Sequence, residues 1–171
     1  MNTDEIKNYL ERHEDTRGLF LNVYAVDQLP KEKIRRTRWL LVVNCCPASR
    51  RGKHWVAMYC ENDKLEFFDS FGMPPSMYEG VPIFIERQRP NSIIYNCQQL
   101  QSIDTDVCGH YCITYAVWRA QDSSLQDIMH RFIRLNEEDS IERVQSEGRR
   151  FIEQLNDRDS IVKFFITNSL I

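Results

Sequence analysis

The sequence predicts an α+β fold: a central, mostly antiparallel or mixed sheet, a buried helix against it, and a C-terminal helical cluster. Three observations carry that prediction. Bulky, β-rich runs at Trp39–Asn44, His54–Cys60, Leu65–Asp69 and Ile93–Cys97 are separated by turn residues, the pattern of strands. Tyr111 to Trp118 is too rich in large apolar side chains to stand in solvent and reads as a helix inside the core. Beyond Ser123, apolar residues recur at helical spacing to the end of the chain.

Taken in order, residues 3–13 predict a short helix, with Thr3 as cap and Ile6, Tyr9 and Leu10 on one face. Gly18 ends it, and Leu19 to Val26 is extended. Residues 27–38 form a loop with Pro30 and a basic run, Lys31, Lys33, Arg35, Arg36 and Arg38. Such a run is usually a solvated face, and contact with a polyanion or a substrate is the alternative. The continuous apolar stretch Trp39–Asn44 is a buried central strand, closed by Cys45-Cys46-Pro47. After a polar, basic turn, His54–Cys60 and Leu65–Asp69 make a hairpin. The Gly and prolines of Ser70-Phe71-Gly72-Met73-Pro74-Pro75 mark a loop, and a short helix or turn is expected within 78–87. Ile93–Cys97 is a further strand, and Gln98 to Val107 is a loop that feeds a helix opening at Cys108. Ser123 with Gln126 predicts a capping box for a helix carrying Leu125, Ile128, Met129, Phe132 and Ile133. Asp139 with Glu142 opens another, with Ile141, Val144, Phe151, Ile152 and Leu155, and Asp159 or Ser160 caps a last short one.

Length and composition bound the function. At 171 residues, 42% hydrophobic and 27% charged, the chain reads as one domain spanning 1–171 that buries its own core. It holds no run of eighteen apolar residues, so no membrane span is expected. Met1–Glu5 lacks an export signal, which points to an intracellular, reducing setting. The six cysteines are therefore read as thiols. They form no Cys-x-x-Cys pair and the four histidines do not fall at zinc spacing, so no metal is expected. A net charge of −3 argues against nucleic acid as the main ligand. A monomer is expected.

The chemistry centres on Cys108. A cysteine opening a buried helix sits among unpaired N–H groups at the positive end of the dipole, where a thiolate is favoured. Gly109 lets a backbone or a substrate approach closely. A nucleophilic cysteine needs a base, an orienting group for that base, and donors for the developing oxyanion. His54 begins a strand after a flexible turn, Asp69 ends the partner strand of the same hairpin, and Gln101 stands seven residues before Cys108. Singly, each has a plainer reading: a strand-end histidine, a turn-starting Asp, a loop amide, a helix start packed with Cys-Gly. Their coincidence in this order is harder to dismiss. Trp55, next to His54, walls a narrow groove that passes only glycine or else packs in the core.

The residues His54-Trp55, Phe67-Phe68-Asp69-Ser70-Phe71-Gly72, Gln101 and Asp106-Val107-Cys108-Gly109 resemble the clan of cysteine proteases that joins the adenovirus protease to the SUMO-deconjugating enzymes. The closer likeness is to the adenovirus (adenain-like) branch, whose Phe-(acid)-x-Phe-Gly setting and Gln seven residues before the Cys recur here. The resemblance runs collinearly from about residue 18 to 120. It implies a permuted papain-type fold and a His54–Asp69–Cys108 triad, with Gln101 as oxyanion donor. Further implications are cleavage after glycine in an extended polypeptide, maturation of capsid or other precursors of a virus or virus-like element, and a location in the virion and the host nucleus or cytoplasm. The sequence itself requires no cofactor, whereas the resemblance implies an activating peptide or DNA. Two departures stand out. Asp69 replaces the Glu usual in the adenovirus branch, and Cys97, the nearest counterpart of the cysteine that binds the activator there, lies only four residues before Gln101. The alternatives are a deconjugating protease for SUMO or other ubiquitin-like modifiers, whose catalytic domains tend to be longer, and a catalytically dead binding module.

Overall fold

The structure, a computed structural model, describes residues 1–50, 52, 54–134, 158–164, 166 and 167. Helix α1 (Thr3–Arg12) opens at Asn2, not at Thr3: the Asn2 side chain accepts from the Glu5 N–H while Glu5 reaches back to the Asn2 N–H. A capping box one residue earlier than expected satisfies two end donors at once. Ile6 and Leu10, four apart, turn to the core and are fully buried.

Five strands follow, β1 (Phe20–Ala25), β2 (Arg38–Asn44), β3 (Trp55–Glu61), β4 (Lys64–Phe68) and β5 (Ser92–Tyr95), side by side in that order in one sheet. The sheet is mixed. The pairs β2–β3 and β3–β4 are antiparallel, and the outer pairs β1–β2 and β4–β5 are parallel. Asn62 and Asp63 both take positive φ, 50° and 61°, which is what a two-residue hairpin turn between right-twisted strands demands. A parallel neighbour needs a crossover instead, and between β4 and β5 it is helix α2 (Val81–Gln88). Sequence reading placed a helix within 78–87 and a strand at 93–97; both elements exist with shifted ends.

Alternation along the strands divides the core in two. Leu40, Val42, Ala57, Tyr59 and Phe68 face α3 (Cys108–Ala120), together with α1 and α4 (Leu125–Arg134). Leu41, Val43, Val56, Met58, Leu65 and Phe67 face Val81, Phe84 and Ile85 of α2. Helix α3 is buried on every side from Cys108 to Trp118, as a sequence apolar but for His110 and Thr114 allows. Helix α4 starts one residue from the expected box, with Ser124 and Asp127 bonding reciprocally.

Residues 158–160 are already helical, so neither Asp159 nor Ser160 stands at a cap; the Asp159 carboxylate instead turns inward to the loop before α3. The helix expected from Asp139 lies outside the described residues. Of the basic run, Lys33 bonds Asp63 at 2.8 Å and Arg38 bonds Asp122 at 2.5 Å, so part of it is spent on surface pairing.

Candidate active site

Antiparallel pairing of β3 with β4 brings the start of one strand to the end of the other, Ala57 opposite Phe68. The residues just outside the ladder, His54 and Asp69, therefore meet. His54 precedes β3 rather than opening it, and its Nε2 lies 2.6 Å from Asp69 Oδ1. Asp69 is fully buried and its two oxygens take three more donors: the N–H groups of Phe71 and Met73, each at 3.0 Å, and the Tyr78 hydroxyl at 2.7 Å. Asn96 clamps the same residue by its backbone, accepting from the Asp69 N–H at 2.9 Å and donating to its carbonyl at 2.6 Å. Rings hold the imidazole in place, Phe71 at 4.8 Å and Tyr78 at 5.7 Å between centroids, both stacked. The turn that carries Phe71 needs glycine at 72. Its φ is +70°, and a Cβ would come within 2.7 Å of the Gln98 backbone.

With Nε2 taken by Asp69, the remaining ring nitrogen, Nδ1, is buried and finds no completed hydrogen bond. The Cys108 thiol lies close enough to act on the charge of the ring. Burial alone would lower the pKa of His54; the bond to Asp69, the nearby Cys108 thiol and the Asp69 charge outweigh this and raise it to about 9. Asp69 moves the other way: desolvation pushes it up, but His54, Tyr78 and the Phe71 amide prevail and hold it below the usual carboxylate value. Burial first, then the Asp69 charge, pushes the Tyr78 hydroxyl far up, so it stays a donor. Burial likewise keeps the neighbouring thiols of Cys45 and Cys112 protonated. His110, two residues past Cys108, is no rival base. Burial, then the N-terminal ammonium and Lys163, push it down to about 4, and it lines a separate cavity beside α1.

Cys108 is the first residue of α3, where a backbone N–H has no acceptor within the helix. Gln101 is 1% exposed and held at both ends of its amide: Oε1 accepts from Ser70 Oγ at 2.7 Å, and Nε2 donates to the Thr105 carbonyl at 2.7 Å. One of its two N–H hydrogens is thus committed and one is left. Trp55 is buried in the same hydrophobic cluster as Cys108. The open side of Gly109 is filled by α1, with a Cβ there 3.2 Å from both Ile6 Cδ1 and Met1 Sδ. The approach that glycine permits at this position is that of a helix.

The arrangement joins a carboxylate, an imidazole, a thiol and a helix N-terminus at one end of the sheet, a set able to perform acyl transfer on sulfur. Sequence reasoning missed Tyr78, Asn96, Ser70 and Asp159. Ser70 stood inside the motif around Asp69 and Asn96 just past β5, but neither position showed what the side chain would bond. Among the described residues no group of three His, Cys, Asp or Glu side chains could hold a metal ion, and no helix is long and apolar enough to cross a membrane.

No protein-family model matches the chain, and no curated protein sequence does. Among solved structures it is similar to the crystal structure of the ASFV pS273R protease, with a TM-score of 0.53 and 19% identity over 90% of this chain. The chain spans 65% of the length of that protein. It is also similar, more weakly, to the C-terminal Ulp1 protease domain solved with Smt3, the yeast orthologue of SUMO: TM-score 0.49, 13% identity, 100% of this chain and 78% of that one. The first likeness establishes a shared fold with a known protease; the second carries no argument of its own.

Proposed function

We propose that this chain is a cysteine endopeptidase that cleaves after glycine in extended polypeptide segments. The observation that carries the reading is the division of labour on His54: one nitrogen fixed by Asp69 at 2.6 Å, the other buried without a hydrogen-bond partner, and the thiol that opens α3 close enough to act on the ring's charge. A ring protonated at neutral pH keeps the proton that the sulfur gave up. Cys108 attacks the scissile carbonyl as the thiolate, a C–S bond forms, and the oxyanion is received by the Cys108 N–H and the remaining N–H of Gln101. His54 Nδ1 then protonates the departing amine as the C–N bond breaks. Water, deprotonated by the same nitrogen, releases the acid and restores the thiolate. Asp69 keeps the ring in one tautomer throughout.

The preference for glycine is supported by crowding. Cys108 is 5% exposed and the imidazole lies between two aromatic rings, which leaves little space for a side chain beside the scissile carbonyl. Precursors of a virus or virus-like element are the substrates that the sequence resemblance suggests. The test is cleavage of extended Gly-containing peptides set beside a ubiquitin-like fluorogenic substrate. Wild type should cut the peptides, and Cys108→Ala should abolish the reaction. Undiminished turnover in that variant would end the reading.

A further inference from the structure

The loop from Gln101 to Val107 must keep the Gln101 amide still, because an oxyanion donor contributes only when it is already aimed. One side of that amide is held locally. Ser70 Oγ donates to Gln101 Oε1, and the Ser70 carbonyl accepts the N–H groups of both Leu100 and Gln101, at 2.8 and 3.0 Å. The other side rests on the Thr105 carbonyl, and Thr105 belongs to a polar loop, Ser102-Ile103-Asp104-Thr105-Asp106, in which Ile103 is 78% exposed. Something must fix Thr105.

The fixing group comes from more than fifty residues away. Asp159 is 2% exposed. Its Oδ2 accepts the Ser102 N–H at 3.0 Å and the Thr105 hydroxyl in a short bond, and its Oδ1 accepts the Tyr111 hydroxyl at 2.7 Å. These three donors bracket the machinery: Ser102 follows Gln101, Thr105 supports its amide, and Tyr111 lies one turn beyond Cys108. The preceding residue adds a fourth tie, Arg158 Nη1 to the Leu100 carbonyl at 3.1 Å. A carboxylate accepts from all three at once; the Ser102 N–H can only donate, whereas the Thr105 and Tyr111 hydroxyls also have the Ser102 and Leu100 carbonyls within reach.

We infer that Asp159 is a positioning residue of the oxyanion site, holding Thr105 and Ser102 so that the Gln101 amide is aimed at the carbonyl attacked by Cys108. This rests on the protease reading above. Asp159 touches no reacting atom; its effect passes through Thr105 to Gln101. Asn at this place keeps one acceptor oxygen and puts an N–H₂ in place of the other, so at least one of the three donations to the side chain is lost.

The test separates aiming from folding. Alkylation of Cys108 by iodoacetamide uses the thiolate but no oxyanion donor, whereas peptide hydrolysis uses both. Asp159→Asn should lower kcat by about 10-fold to 10²-fold with little change in KM, approaching the loss of one oxyanion donor, while its alkylation rate stays near that of wild type. In the Gln101→Ala background the same substitution should add almost nothing. Thr105→Val should reproduce the kcat loss, and Thr105→Ser, which keeps the hydroxyl, should regain most of it. Losses that multiply in the Asp159→Asn/Gln101→Ala double variant would overturn the inference, as would equal falls in alkylation and hydrolysis. A wild type that alkylates but hydrolyses no peptide would instead sink the protease reading.

Discussion

Asp69 accepts four hydrogen bonds on two oxygens while fully buried, and only one of the four comes from His54. The backbone donors at Phe71 and Met73 exist because the chain turns at once after β4, so the motif Phe68-Asp69-Ser70-Phe71-Gly72 encodes the acid and its cradle together. That is why the acid was legible in the sequence. Tyr78 was not, because nothing in a string of residues shows that a 3₁₀ turn nine positions on will fold its hydroxyl back. Its contribution can still be ranked. Asp69→Asn exposes the ring to an amide that can present the wrong tautomer, and kcat should fall by about 10³–10⁴-fold. Tyr78→Phe keeps the ring stacked on His54 and deletes one charge-assisted bond, so roughly a tenfold loss in kcat is expected. Steady-state kinetics on the two variants checks the order; a Tyr78→Phe variant as damaged as Asp69→Asn would mean that the hydroxyl, not the carboxylate, sets the ring.

Among the elements, those with a strictly local signal were found nearly where the sequence put them: the β3–β4 hairpin, the mostly apolar α3, the amphipathic α4. Caps slipped by one residue at α1 and α4 because Asn2 and Ser124 compete with equally good neighbours, Thr3 and Ser123, and only the reciprocal acidic partner decides. The contact of α1 with α3 had no sequence signal at all. Gly109 was expected to let a backbone or a substrate approach closely, and what approaches it is the N-terminal segment with α1. Replacing it with Ala sets two effects against each other. Helix propensity favours Ala by about 1 kcal/mol. The new Cβ would sit 3.2 Å from Ile6 Cδ1 and Met1 Sδ, both ends of flexible side chains that can withdraw by a few tenths of an ångström. Thermal unfolding of Gly109→Ala should therefore lie within about 4 °C of wild type, with KM changed by less than about twofold. A KM rise of an order of magnitude without a stability change would return Gly109 to the substrate-facing side.

At the scale of the whole molecule, the mixed sheet shows why topology was half legible. Antiparallel neighbours announce themselves through a turn, but parallel partners are joined by crossovers whose return path no local pattern records. The site depends on that topology, since it gathers groups from β3, β4, α3 and a segment beyond residue 157, and its charge is coupled to global stability. The folded state raises His54 from its ordinary 6.5 to about 9, so folding favours the protonated ring. The stabilisation is fully present below pH 6.5 and is lost as pH rises through about 9, a shift worth on the order of 3 kcal/mol. Asp69, held low, contributes in the opposite sense: its share is present above the ordinary carboxylate value and is lost as pH falls through the lowered one. Urea unfolding of wild type and His54→Gln at pH 6 and pH 9.5 reads the histidine together with the groups coupled to it, because titrations that do not touch His54 cancel in the difference. Wild type should lose on the order of 2–3 kcal/mol more than the variant across that interval. Equal losses in the two proteins would mean that the pairing with Asp69 and Cys108 does not hold the imidazole in its charged form, and the same result would remove the acid that the proposed cleavage step needs.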